Sequence, residues 1–161
     1  MRKLYLIIMF ILLSLISQSQ IKIVFFSDVP TVHKEIILKY FVYNIPDHLP
    51  DTVAVYETVY NPKRSFCSKT HCYSANAFMQ ELDTMKRRTI GITYRPLTWY
   101  CTDNYLDGFA YPEDRHCIIT MYNVGTIDRL LKLGLHELGH TYGLDHCTET
   151  GCFMEAGIKT G

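Results

Sequence analysis

The sequence predicts a mixed α/β (α+β) domain, a twisted sheet of parallel and antiparallel strands with helices packed on it. Three observations carry this expectation. Short apolar, β-branched runs alternate with stretches of helical periodicity. Their order runs strand, helix, strand, helix, strands, helix. The 161 residues, 48% apolar and 13% aromatic, suffice for one domain with its own core. No repeat, low-complexity segment or interdomain linker interrupts them.

The chain opens on "MRKLYLIIMFILLSLISQSQ", a basic start, an apolar run from Leu4 to Ile16 and a small, polar end. This is the three-part pattern of a secretory signal peptide. The run is shorter than the roughly 20 residues that span a bilayer. Residues 1–20 are therefore expected to be a leader cleaved after Ser19 or Gln20, leaving a secreted or periplasmic domain of residues 21–161 with no stable membrane span. Removing Arg2 and Lys3 from 16 basic residues leaves 14 against 16 acidic ones. That balance gives no electrostatic footprint for nucleic acid.

"IKIVFF" reads as a buried strand and "SDVP" as a turn. From Thr31 to Phe41, Val32, Ile36, Ile37, Tyr40 and Phe41 recur at helical spacing, and "NIPDHLP" is expected to break that helix. "DTVAVYETV" is a second strand and "NPKRSFCSKTHC" a cysteine-bearing loop. Ser74 caps a helix with Ala75, Phe78, Leu82 and Met85 on one face. "TIGITY" and "CIITMY" are further strands. Between them, "RPLTWYCTDNYLDGFAYPEDRH" is rich in turn residues, with "LDGFAY" a candidate edge strand as readily read as a solvent loop. Thr126 caps a last helix running to about Tyr142, with Asp128 in its first turn.

That helix carries the chemistry, in "HELGHTYGLDHC" from residue 136 to 147. His136 and His140 lie four apart, so both imidazoles leave one helix face and can reach one metal ion. Gly143 allows the helix to end in the left-handed conformation, after which His146 can return to the same point. Three imidazoles and one open position describe a catalytic rather than a structural zinc. Glu137, beside the first ligand, is placed to act as general base toward a water at the open position.

"HELGHTYGLDH" is similar to the extended HExxHxxGxxH pattern of the metzincin metalloproteases, and "HCTETGCFM" resembles the archaemetzincin signature within that clan. The resemblance implies a metzincin-like single domain, with an active-site helix followed by a short C-terminal Met-turn segment. It implies a zinc peptidase acting on peptide or protein substrates, with His136, His140 and His146 as ligands, Glu137 as base and Met154 packed beneath the metal. It also implies that an edge strand, here Asp107, Gly108, Phe109 and Ala110, binds extended peptide by main-chain hydrogen bonds. Two alternatives stand beside it: a catalytically weak zinc protein that binds a peptide or protein partner with the same ligands, and a disulfide-stabilised secreted interaction domain without metal.

Archaemetzincins hold a second zinc with the two cysteines of this signature and a downstream CxxC pair, which has no counterpart after Met154 in this sequence. Two cysteines alone cannot close a tetrahedral site. Either Cys67 and Cys72 join Cys147 and Cys152 around a metal, or the thiols oxidise. Export favours oxidation, so the expectation is one zinc and three disulfides: Cys67–Cys72, Cys101–Cys117 and Cys147–Cys152.

Overall fold

The computed structural model describes residues 20–49, 52–53, 58–60, 64–82, 87–102, 104–112 and 114–156. Apart from Gln20, the expected leader lies outside the described residues, as does Met85. In chain order the elements are β1 (Gln20–Phe26), α1 (Thr31–His48), β2 (Thr52–Val53), β3 (Thr58–Tyr60), β4 (Phe66–Cys67), β5 (Cys72–Ser74) and α2 (Ala75–Leu82). They continue with β6 (Thr89–Thr93), β7 (Leu97–Thr98), β8 (Tyr105–Leu106), β9 (Gly108–Ala110), β10 (His116–Thr120) and α3 (Ile127–His140).

The main sheet is built outward from β1. β2 and β3 pair with its two ends, both parallel, β6 lies along its other side, and β10 follows β6. β9 closes this edge antiparallel, with Gly108 opposite Ile119 and Ala110 opposite Cys117. Strand alternation sends side chains to two cores. Ile21, Ile23, Phe25, Ile90, Ile92, Cys117 and Ile119 meet α1 and α3, whereas Phe26 and Ile118 meet α2 and the smaller sheet.

α1 departs from expectation at both ends. Its buried stripe is Ile37, Phe41, Ile45 and, just beyond the helix, Leu49, while Val32 and Ile36 are 62% and 46% exposed. The helix also continues through Pro46 to His48 instead of breaking at "NIPDHLP". A proline inside a helix costs about 3 kcal/mol, and burying each of Ile45 and Leu49 returns roughly 1.5–3 kcal/mol. Leu49 N–H then closes the end on the Ile45 carbonyl at 2.8 Å. Tertiary burial outweighs the local breaker.

β4, β5, β7 and β8 form a second, four-stranded sheet where the sequence suggested loops. Each strand has two or three residues, too few for alternation to show. The candidate strand 106–111 divides in consequence: Leu106 ends β8 in the small sheet and Gly108–Ala110 forms β9 in the large one. α2 begins as expected, the Ala77 N–H donating to Ser74 Oγ at 3.3 Å.

α3 is capped by Thr126, whose Oγ1 accepts from the Arg129 N–H at 3.3 Å. Leu130, Leu131, Leu135 and Leu138 are buried. The helix stops at His140, two residues short of the expected end, as Thr141 turns its hydroxyl onto the Leu138 carbonyl at 2.6 Å. Arg88 donates to the Thr141 carbonyl and stacks over the Tyr142 ring, 3.7 Å from its centroid. Among the described residues, no helix is long and apolar enough to cross a membrane.

Candidate metal centre

The end of α3 is a Schellman turn. Gly143, at φ 75°, donates to the His140 carbonyl at 2.9 Å, and Leu144 donates to the Gly139 carbonyl at 3.2 Å. Only a residue without Cβ takes that conformation cheaply. The reversal returns His146 to the face that carries His136 and His140.

The three Nε2 atoms form an equilateral triangle with sides of 3.2 Å. A tetrahedral ion with Zn–N bonds of about 2.0–2.1 Å holds its nitrogens about 3.3 Å apart, so the triangle fits one face of such a polyhedron. His136 Nδ1 donates to the Phe153 carbonyl at 3.1 Å and His140 Nδ1 to the Leu144 carbonyl at 2.9 Å. A carbonyl only accepts, so Nδ1 keeps the proton and the Nε2 lone pair points inward. Burial pushes the His136 pKa below the usual histidine range, which favours the neutral, ligating form. Among the described residues these histidines are the set of three or more His, Cys, Asp or Glu side chains positioned to hold a metal ion.

Glu137 is buried one residue from His136. Burial pushes its carboxyl up to about 8, and a dication held by the imidazoles would pull it back toward ionisation. The carboxylate lies against β9 at Gly108. Asp107, the residue before this strand, accepts through its carbonyl from the Thr120 N–H at 2.8 Å and lies 3.9 Å from the Arg129 guanidinium. Phe109 packs on Trp99, ring centroids 4.3 Å apart, and Ala110 pairs with Cys117. Among the described residues no strand pairs with the outer edge of β9.

Met154 is buried against α3 with its sulfur on Gly139, where a methyl group would collide with it. Its carbonyl accepts from the Cys147 N–H at 2.9 Å, closing the loop that follows His146. The Cys147 and Cys152 sulfurs are bonded within this loop.

The other cysteines correct the expected scheme. Cys117 is fully buried on β10 in the core beneath α1 and α3 and cannot meet Cys101. Cys101 instead lies near Cys67 and Cys72. Cys67 and Cys72 face each other across the β4–β5 pair without a bond. The four-cysteine cage also fails, since Cys147 and Cys152 are spent on each other. The sequence reading missed the carbonyls of Leu144 and Phe153, which no residue type signals, and Gly139, which lay unremarked inside the HELGH stretch.

An antiparallel edge strand beside a helix with two of three convergent histidines, and a methionine beneath them, defines the metzincin-like class of fold. Residues 119–159 match Peptidase family M54. An archaemetzincin of Haloquadratum walsbyi is 30% identical over 119 residues, covering 63% of this chain and 68% of that protein. With this relative, the chain belongs to the archaemetzincin family. An archaemetzincin of Halobacterium salinarum is 37% identical over 82 residues, 42% of this chain, and the match spans about half (47%) of that relative's length. The crystal structure of an archaemetzincin from Methanopyrus kandleri shares the fold with a TM-score of 0.74 at 24% identity, covering 89% of this chain and 84% of that one.

Proposed function

We propose that the protein is an exported zinc-dependent peptidase that hydrolyses peptide bonds. The observation that carries this reading is the triangle of inward-facing Nε2 atoms, 3.2 Å on each side, with a buried carboxylate beside it. His136, His140 and His146 would hold the ion. Zinc bound there supplies a Lewis acid that polarises water and the scissile carbonyl.

The chain's own groups do the rest. A Glu137 oxygen takes the proton of the attacking water and delivers it to the departing amine nitrogen. The open edge of β9 lays extended peptide across the site by main-chain hydrogen bonds, with Asp107 fixing the start of the strand. Met154 supports α3 from below, and the Cys147–Cys152 bond occupies the signature cysteines, so one zinc per chain is expected. The leader pattern of residues 1–20 supports export.

Two measurements test this reading. Metal analysis of exported protein prepared without chelator should give one zinc per chain, and incubation with a diverse peptide library should yield cleavage that Glu137→Gln abolishes. Cleavage products absent from zinc-loaded wild type would leave the binding-only alternative. A metal-free folded protein would remove both zinc readings.

A further inference from the structure

Away from the histidines, three thiols converge at one end of the small sheet. Cys67 and Cys72 occupy facing positions of the β4–β5 hairpin. Parallel pairing of β5 with β7, Ser74 opposite Thr98, brings the following segment alongside. There Cys101 adopts a φ of 56°, three residues beyond the Thr98 hydroxyl that touches Cys72, and lies close enough to both other thiols to feel them electrostatically. Cys72 Sγ is also 2.7 Å from Thr70 Oγ1 and 3.3 Å from Thr98 Oγ1. Cys67 and Cys101 are half-buried, and Cys72 is fully buried.

Three sulfurs admit one disulfide and leave one thiol beside it. A structural cystine consumes both of its sulfurs, but here a third remains within reach of the bond, as exchange requires. Cys101 stands in the middle of the chain of contacts. We propose that Cys67, Cys72 and Cys101 form a thiol–disulfide exchange site whose substrate is a small exogenous disulfide.

Cys67 attacks one sulfur of the external disulfide RSSR, forming a mixed Cys67–SR bond and releasing RS⁻. The released thiolate takes up a proton, and Cys101 then attacks the Cys67 sulfur. This gives Cys67–Cys101 and a second RSH. Two protein thiols are oxidised, one RSSR is reduced to two RSH, and no other reactant is needed. Cys72, left reduced, can attack the Cys101 sulfur, moving the bond to Cys72–Cys101 and freeing Cys67.

The environments of the thiols support this order. Hydrogen bonds from Cys101 and Thr70 lower Cys67 to about 7, which makes it the nucleophile at neutral pH. Burial, then the neighbouring Cys67, pushes Cys101 up to about 12, so it stays protonated until the second step. Trp99, two residues before Cys101, packs on Phe109 and Tyr111, so the bond would tie the flank of β9 to the hairpin.

The test uses fully reduced, full-length protein treated with glutathione disulfide, quenched in acid and mapped by mass spectrometry after blocking free thiols with N-ethylmaleimide. Beside the re-formed Cys147–Cys152 bond, the expected product is Cys67–Cys101 with a smaller share of Cys72–Cys101, and Cys117 blocked only after denaturation. Cys101→Ser should stop at the mixed disulfide on Cys67, and Cys67→Ser should slow oxidation at least about tenfold. A wild-type Cys67–Cys72 or Cys101–Cys117 bond would overturn the proposal, as would zinc that binds stoichiometrically and protects all three thiols. Mapping of the wild type decides the matter even where a variant fails to fold.

Discussion

Gly108 of the edge strand lies directly against Glu137. A methyl group on Gly108 would stand 2.7 Å from Glu137 Cγ and 2.8 Å from Oε1, inside van der Waals contact. Gly108→Ala must therefore displace the carboxylate or the strand. Misplacing a catalytic group by about 1 Å can cost on the order of 10²-fold in rate. We expect kcat/KM on a peptide substrate to fall at least about tenfold while zinc content stays at the wild-type level. Unchanged turnover would mean that Glu137 yields without consequence.

Glu137→Gln keeps the size of the side chain and removes the base. Hydrolysis should fall by about 10² to 10⁴, with one zinc still bound, because the three imidazoles are untouched. Wild-type turnover by a folded, zinc-loaded variant would take Glu137 out of the mechanism.

His146 is exposed and lies beyond α3, so His146→Ala should leave thermal unfolding of the metal-free protein nearly unchanged. Its zinc affinity should drop steeply, because two imidazoles make a poor site. Competition with a chromophoric chelator measures the affinity. Tight binding that survived the change would move the third ligand elsewhere, with Asp145 the nearest candidate.

Among Cys67, Cys101 and Cys117, thiol reactivity at neutral pH should belong to Cys67. Cys67 is lowered to about 7, whereas burial raises both Cys101 and Cys117. The thiolate is the reactive form. Alkylation of reduced protein by iodoacetamide should therefore rise as pH passes upward through about 7 and fall below it. Below pH 8 the label should appear on Cys67 well before the other two, read by peptide mapping at short times.

The parts of this molecule that the sequence discloses are local in sequence. His136, His140 and His146 lie within one turn-and-return of the backbone, and β1, β6 and β10 are short runs rich in apolar and β-branched residues whose partners need not be known. What stayed hidden depends on distant contacts. Pro46 does not end α1 because Ile45 and Leu49 have a core to enter. Val32 and Ile36 face outward because the buried stripe follows Ile37 and Phe41. Cys101 meets Cys67 and Cys72 because β7 pairs with β5, a relation between strands too short to announce themselves.

The hydrogen bonds that aim His136 and His140 end on the main-chain oxygens of Phe153 and Leu144. Every amino acid brings the same carbonyl, so no particular functional group at positions 144 and 153 is needed to aim either ring, and Phe153 contributes by packing its ring against the core and His48. The support around the metal is thus held in the path of the chain and not in the functional groups of these two side chains. What can spoil it is a change of path, through a lost glycine at 143 or an inserted residue between His146 and Met154. Spacing along the chain therefore matters to this support as much as the residues themselves.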